Sequence, residues 1–242
     1  MIDVVYPLSN NSKFRDDFEL RYSLRSLMLQ NWVGKIFLIG HCPEWAKDVV
    51  HIPCGDPYVN CKDANIINKI LLACSIKELS ENFLINSDDQ YLLKAIGIDE
   101  LEPMIENPCR LDEFKRKAGH NSWQGRVVDT VQWCSKNGYP DWIFQSHTPY
   151  LATKTDYPEA MSKVAWGKGN GFTTHIYLNI AYTQAPKEPK GRTVRIKGRI
   201  LHDELYRQIE HATFFNHNDS GLIPVVKTFL EEYFPVKSRW EK

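Results

Sequence analysis

Ile2-Asp3-Val4-Val5-Tyr6-Pro7, then Glu19 to Gln30, then Lys35-Ile36-Phe37-Leu38-Ile39-Gly40: this opening stretch decides the fold. The first run is β-branched and stops at a proline, which suits a buried strand. Between Glu19 and Gln30, the residues Leu20, Leu24, Leu27 and Met28 recur at helical spacing. Asp16 and Asp17 precede them, where carboxylates favour a helix start. The Lys35–Gly40 run is continuous enough to be a strand buried on both faces. Strand, helix and strand make a β-α-β unit. The expected fold is therefore α/β: a Rossmann-type, mostly parallel central sheet flanked by helices.

The same pattern continues outward. Val49 to Pro53 predicts a short third strand, and Asp63 to Leu79 a helix with Ile66, Ile67, Ile70, Leu71 and Cys74 on one face. Asn82-Phe83-Leu84-Ile85-Asn86 is the next strand. It runs straight into Ser87-Asp88-Asp89, with Tyr91-Leu92-Leu93 after it. From 99 to 140 the periodicity weakens, and Arg110, Lys115, Arg116, Lys117, Trp123 and Trp133 interleave with helical segments. Gln184 to Arg199, with its prolines, glycines and basic residues, reads as a mobile loop or lid. A last amphipathic helix is expected over Val225 to Tyr233. With no repeat or linker, 1–242 reads as one domain.

A chain of 242 residues with 43% hydrophobic and 25% charged residues has ordinary globular proportions. Its formal net charge is zero, so nothing global draws it to nucleic acid or an anionic membrane. No apolar run reaches the length of a membrane span, and no insertion is expected. The N-terminus lacks a basic region followed by an apolar one. Six cysteines without a C-x-x-C pair point to reduced thiols, and the expected location is cytoplasmic.

The Asp88-Asp89 pair carries the sharpest chemical signal. In an open α/β sheet, ligands gather beyond the carboxyl ends of strands, where loops converge. Two carboxylates there attract a hard cation. Mn²⁺ or Mg²⁺ held by them and by substrate phosphates would neutralise a pyrophosphate leaving group. For the pair alone, a solvated turn is an equally open reading.

Glu19-Leu20-Arg21-Tyr22-Ser23-Leu24-Arg25-Ser26-Leu27, Trp32 to Ile39 and Phe83 to Asp89 together resemble the second conserved block of the Stealth family. That family contains capsular-polysaccharide phosphotransferases and N-acetylglucosamine-1-phosphotransferase. Ser146-His147-Thr148-Pro149 is similar to its H-x-P segment. Asn218-Asp219 with Phe229 to Lys242 is similar to its C-terminal block. The resemblance implies a GT-A-like fold, with 1–98 as the donor- and metal-binding half and 99–242 as the acceptor side. It implies transfer of a sugar, or sugar-1-phosphate, from a nucleotide-sugar (a UDP-sugar is favoured) to a hydroxyl acceptor. It implies Asp88 and Asp89 at the metal and diphosphate, His147 as metal ligand or acid/base, and Asp219 as a further carboxylate near the reacting centre. The family's first block carries Val-Asp-Gly after the first strand, where this chain has Tyr6-Pro7-Leu8-Ser9-Asn10. That loop puts Pro7 and Leu8 at the donor.

Further candidates come from the residues themselves. Arg21 and Arg25 share a helix face, and a guanidinium fork suits phosphate. Lys62-Asp63-Ala64-Asn65 opens a helix whose free N–H groups can hold an anion, with Asp63 or Asn65 reading ribose or base, or simply capping. Acceptors range from a glycan precursor to modified bases of phage-type DNA. The latter is suggested by the basic segments and opposed by zero net charge. A non-catalytic glycan-binding protein on a transferase scaffold is the alternative of another class.

Overall fold

Strand order β3-β2-β1-β4-β6 defines the main sheet: β1 (Ile2–Leu8), β2 (Val33–Gly40), β3 (Val50–Ile52), β4 (Asn82–Ile85) and β6 (Tyr150–Thr153). The first three pairings are parallel, and only β4–β6 is antiparallel. The expected mostly parallel α/β sheet is what the chain builds. The structure is a computed structural model, and it describes residues 1–9, 17–101, 115–116, 123–144, 147–168, 172–174, 176–182 and 192–242. Asn10, Asp16, Arg110, Lys117 and Ser146 lie outside them, as do Lys187 and Lys190 of the stretch expected as a lid.

Alternation along β1 explains the layering. Val4, Tyr6 and Leu8 turn to one face, against Leu20, Leu24 and Leu27 of α1 (Phe18–Leu27) and Trp240 near the C-terminus. Val5 turns to the other face, against Ile67 and Ile70 of α2 (Lys62–Cys74). That face is completed by α3 (Trp123–Lys136), α4 (Asp156–Ser162) and α5 (Ile176–Ala181). Both faces are covered, which is why these strands read as continuous apolar runs.

A second sheet, β5-β8-β7, is formed by β5 (Gln90–Leu92), β8 (Ala212–His217) and β7 (Arg192–Ile196). Leu205 of α6 (His202–Ile209) and Val226, Phe229 and Leu230 of α7 (Pro224–Tyr233) pack on Tyr91, Val194 and Phe215. Among the described residues, no helix is long and apolar enough to cross a membrane.

Three expectations are corrected. The stretch expected as a lid contains β7, in which Val194 and Ile196 are buried between more exposed Thr193 and Arg195. The apolar run Trp142 to Phe144, which reads as a strand ending near His147, is not a strand; His147 instead precedes one, β6. Pro7 and Leu8 are strand, not loop: Pro7 lies opposite Ile39. The Asn86 N–H donates to Val5 O, and the two-residue period puts Pro7 on that same side. There β4 has already ended, so the missing N–H of Pro7 costs no ladder bond.

Candidate active site

Ser87-Asp88-Asp89-Gln90 carries the chain from the main sheet into the second one. Its ends are tied down. Gln90 N–H donates to Ser87 O at 3.2 Å, and Ser87 N–H donates to Asn86 Oδ1 at 3.0 Å and Gln90 Oε1 at 3.2 Å. Asn86 is buried and donates through Nδ2 to Tyr6 Oη at 2.9 Å. Ser23 of α1 donates to Gln90 O at 2.7 Å and lies 2.9 Å from Tyr6 Oη. The two central carboxylates therefore sit on a turn fixed to a strand on one side and a helix on the other, a rigid mount for chemistry.

Asp88 and Asp89 are half-buried. Burial first, and the neighbouring Asp89 second, hold the Asp88 carboxyl above the usual carboxylate range, against the pull of Lys62. Burial also raises Asp89; Lys62 and Arg195 oppose the rise, and Asp219 adds to it. Glu19, in the first turn of α1, is pushed up to about 8 by burial and then by Asp88, Asp89 and Asp219, with Lys62 opposing. Each acid makes its neighbours harder to ionise. A free anion would be repelled from such a field, whereas a divalent cation would relieve it.

His217 ends β8 beneath this group. Its Nδ1 lies 3.2 Å from Asn218 O and its Nε2 2.9 Å from Tyr91 Oη. A carbonyl only accepts, so Nδ1 carries the hydrogen and the Tyr91 hydroxyl donates to Nε2. Burial lowers the histidine's proton affinity, partly offset by the Asn218 carbonyl, Asp88 and Asp219. Glu19 Oε1 is 3.7 Å from Nδ1.

Of the residues singled out in the sequence, Asp88, Asp89, Asp219 and Lys62 act on one another here. His147 does not complete a metal-ligand trio with the aspartates: among the described residues, no three His, Cys, Asp or Glu side chains group to hold an ion. Its backbone has φ 45°, its carbonyl accepts from Asn216 Nδ2 at 3.1 Å, and its ring lies 6.5 Å from that of Trp123. Arg21 is drawn elsewhere. Its Nη1 donates to Glu241 Oε2 at 2.8 Å, and its guanidinium lies 4.3 Å from the Trp45 ring centre. Asp63 is buried, accepting from Arg126 Nε at 2.9 Å and Thr174 N–H at 3.2 Å, so it joins α2 to α3. Asn65 clamps the backbone of Tyr58. Leu8 is buried, and its carbonyl accepts from the buried Lys69 at 2.7 Å.

Glu19, His217 and Tyr91 were missed. A glutamate in a helix's first turn looks like ordinary capping electrostatics. A histidine at the end of Phe214-Phe215-Asn216-His217 looks like strand interior. The one available signal was Glu19 itself, four residues ahead of Ser23 and so on the face of α1 that meets β5.

No protein-family model matches the chain. An exopolysaccharide phosphotransferase of Streptomyces coelicolor is 22% identical over 96% of this chain, which spans 29% of that protein. Among solved structures, the galactosyltransferase LgtC in complex with donor and acceptor sugar analogs superposes with a TM-score of 0.54 at 10% identity, covering 98% of each chain. An active-site mutant of LgtC gives the same TM-score, identity and coverage. The chain thus has the α/β architecture of a GT-A glycosyltransferase, a mostly parallel sheet with flanking helices, and its acidic turn stands where that sheet passes into a second one.

Proposed function

We propose that this chain transfers a sugar, or a sugar-1-phosphate, from a nucleotide-sugar donor to a hydroxyl acceptor, with the Asp88–Asp89 turn at the donor's diphosphate. The observation that carries the reading is that turn: adjacent, half-buried carboxylates, mounted at the junction of two sheets and both raised in proton affinity, chiefly by burial. Mn²⁺ or Mg²⁺ fits such a donor set when substrate phosphates supply the remaining ligands. Bound there, the cation would offset charge on the departing nucleotide. Lys62 and Arg195, whose charges act on Asp89, are placed to bear on phosphate oxygens. Until a cation binds, burial and the neighbouring acids favour the protonated form of Glu19, which can donate a hydrogen bond. Asp219, exposed at the turn after β8, is the carboxylate to accept the acceptor hydroxyl's proton, with His147 as the second choice.

Two bonds are open to cleavage. Attack of the acceptor oxygen on the anomeric carbon breaks the sugar–phosphate bond and releases a nucleoside diphosphate. Attack on the sugar-bearing phosphorus breaks the anhydride and releases a nucleoside monophosphate. The 22% identical relative is named for the second reaction, and the architecture is that of an enzyme named for the first.

The test is nucleotide release from UDP-, GDP- and CDP-sugars with Mn²⁺, resolving mono- from diphosphate by chromatography. UDP-sugar turnover is expected. Asp88→Asn and Asp89→Asn are each expected to lower it about a hundredfold, the scale of losing one electrostatic stabiliser. Unchanged turnover in the double variant would overturn the assignment.

A further inference from the structure

A pair of half-exposed aromatic rings stands just ahead of Lys62, outside the acidic group. Tyr58 and Trp166 meet edge to face, with centroids 5.5 Å apart and planes at 66°. Val59, between Tyr58 and the start of α2, is 84% exposed. The loop that presents them is fixed from both sides. Asn65 Oδ1 accepts from Tyr58 N–H at 3.0 Å, and Asn65 Nδ2 donates to Tyr58 O at 2.9 Å. Cys61 N–H donates to the same carbonyl at 3.3 Å, and Asn60 holds φ 58°. Gly167 lies against the phenol: a Cβ there would stand 3.3 Å from Tyr58 Oη. Trp166 packs its inner edge on the core. Among the described residues, neither Tyr58 Oη nor Trp166 Nε1 has a protein hydrogen-bond partner.

We infer that Tyr58, Val59 and Trp166 form a platform for a sugar ring of the acceptor glycan. A pyranose has an apolar C–H face and a rim of hydroxyls. An aromatic surface whose O–H and N–H have no hydrogen-bond partner among the described residues matches both features. The platform lies within reach of the carboxylates. Tyr58 precedes Lys62 by four residues, which span at most about 14 Å of chain, and the Lys62 charge acts on Asp88, Asp89 and Glu19. A ring on the platform and a hydroxyl at the carboxylates can therefore belong to one molecule. The inference rests on the sugar-transfer reading for its word "acceptor", but binding of a sugar at this place is measurable without turnover.

Saturation-transfer NMR with methyl β-galactoside, methyl β-glucoside and lactose, on the full chain, tests it. At least one probe is expected to receive saturation at its ring C–H protons. Tyr58→Ala and Trp166→Ala are each expected to weaken that binding about tenfold. Tyr58→Phe and Trp166→Phe, which keep a ring and lose the polar tip, are expected to weaken it about threefold. UDP binding in the presence of Mn²⁺ is measured on the same proteins and is expected to be unchanged. Sugar binding equal to the parent's in all four variants overturns the platform, as does the absence of saturation transfer to any probe. A parallel loss of UDP affinity in Trp166→Ala overturns it in favour of a nucleobase. Sugar binding without any nucleotide binding keeps the platform and sinks the transferase reading instead.

Discussion

A carboxyl that holds its proton up to about 8 in the folded chain, against 4.5 ordinarily, couples folding to pH. Between those values the native state binds more protons than the unfolded one, so stability falls as pH rises from about 4.5 to about 8. Glu19→Gln keeps the shape and removes the titration. The variant is expected to lose several degrees less in Tm than the parent across that window, measured in EDTA by thermal denaturation over a pH series; parallel curves would remove Glu19 from the role. The aspartates behave alike for the same reason. Asp88→Asn, Asp89→Asn is expected to raise Tm without metal, because two mutually repelling acids become neutral. Under the proposed function Mn²⁺ with UDP is expected to raise the parent's Tm, since a ligand stabilises the state that binds it, and the variant is expected to lose that increase. An undiminished increase in the variant would place the cation elsewhere. At this scale the place of the aspartates in the fold was legible, because a strand runs directly into them. Glu19 and His217 were not, since their chemistry comes from neighbours far away in sequence.

Elements follow the same division. β1, α1, β2 and β4 were readable because each carries its own period and is buried on schedule. β7 was hidden: its buried alternation, Val194 and Ile196, spans only five residues behind prolines, glycines and lysines that signal a loop. The second sheet was hidden more thoroughly, since β5 acquires meaning only when Gln90 pairs with Asn216, 126 positions on. The turn between β4 and β5 depends on this. Ser23 serves Gln90 O and Tyr6 Oη from inside α1, so Ser23→Ala leaves a buried carbonyl without its donor. That is expected to cost about 1–3 kcal/mol. If the turn's fixation matters for chemistry, kcat falls while KM for the donor stays within about twofold. Urea denaturation and steady-state kinetics separate these effects. Full stability with full activity would show that the mount is redundant.

Across the whole molecule, the C-terminal segment closes the fold over α1. Glu241 is buried and accepts from Arg25 Nε at 2.8 Å, Arg25 Nη2 at 2.9 Å, Arg21 Nη1 at 2.8 Å and the Ser238 N–H at 2.9 Å. Around it, Lys47 N–H donates to Trp240 O at 3.0 Å and Lys242 N–H to Trp45 O at 2.9 Å. Arginines that the sequence offered to a phosphate are thereby spent on holding α1, and with it Glu19 and Ser23, against the site. Burial alone would push the Glu241 carboxyl up. The hydrogen bonds from Arg25, Ser238 and Arg21 outweigh it and hold it down at about 2. A depressed carboxyl contributes its stability above the ordinary 4.5, and that contribution drains away as pH falls towards 2. Glu241→Gln leaves two guanidinium groups without their anion. It is expected to cost about 3 kcal/mol at neutral pH, the scale of breaking a buried ion pair from one side. The gap between parent and variant is expected to narrow markedly near the bottom of that window, where the folded parent's carboxyl begins to take up its proton. Guanidinium-free urea melts at pH 7 and near pH 2.5 measure both. A constant gap between the proteins at the two pH values would mean that packing of the segment, rather than its charge, holds α1 in place.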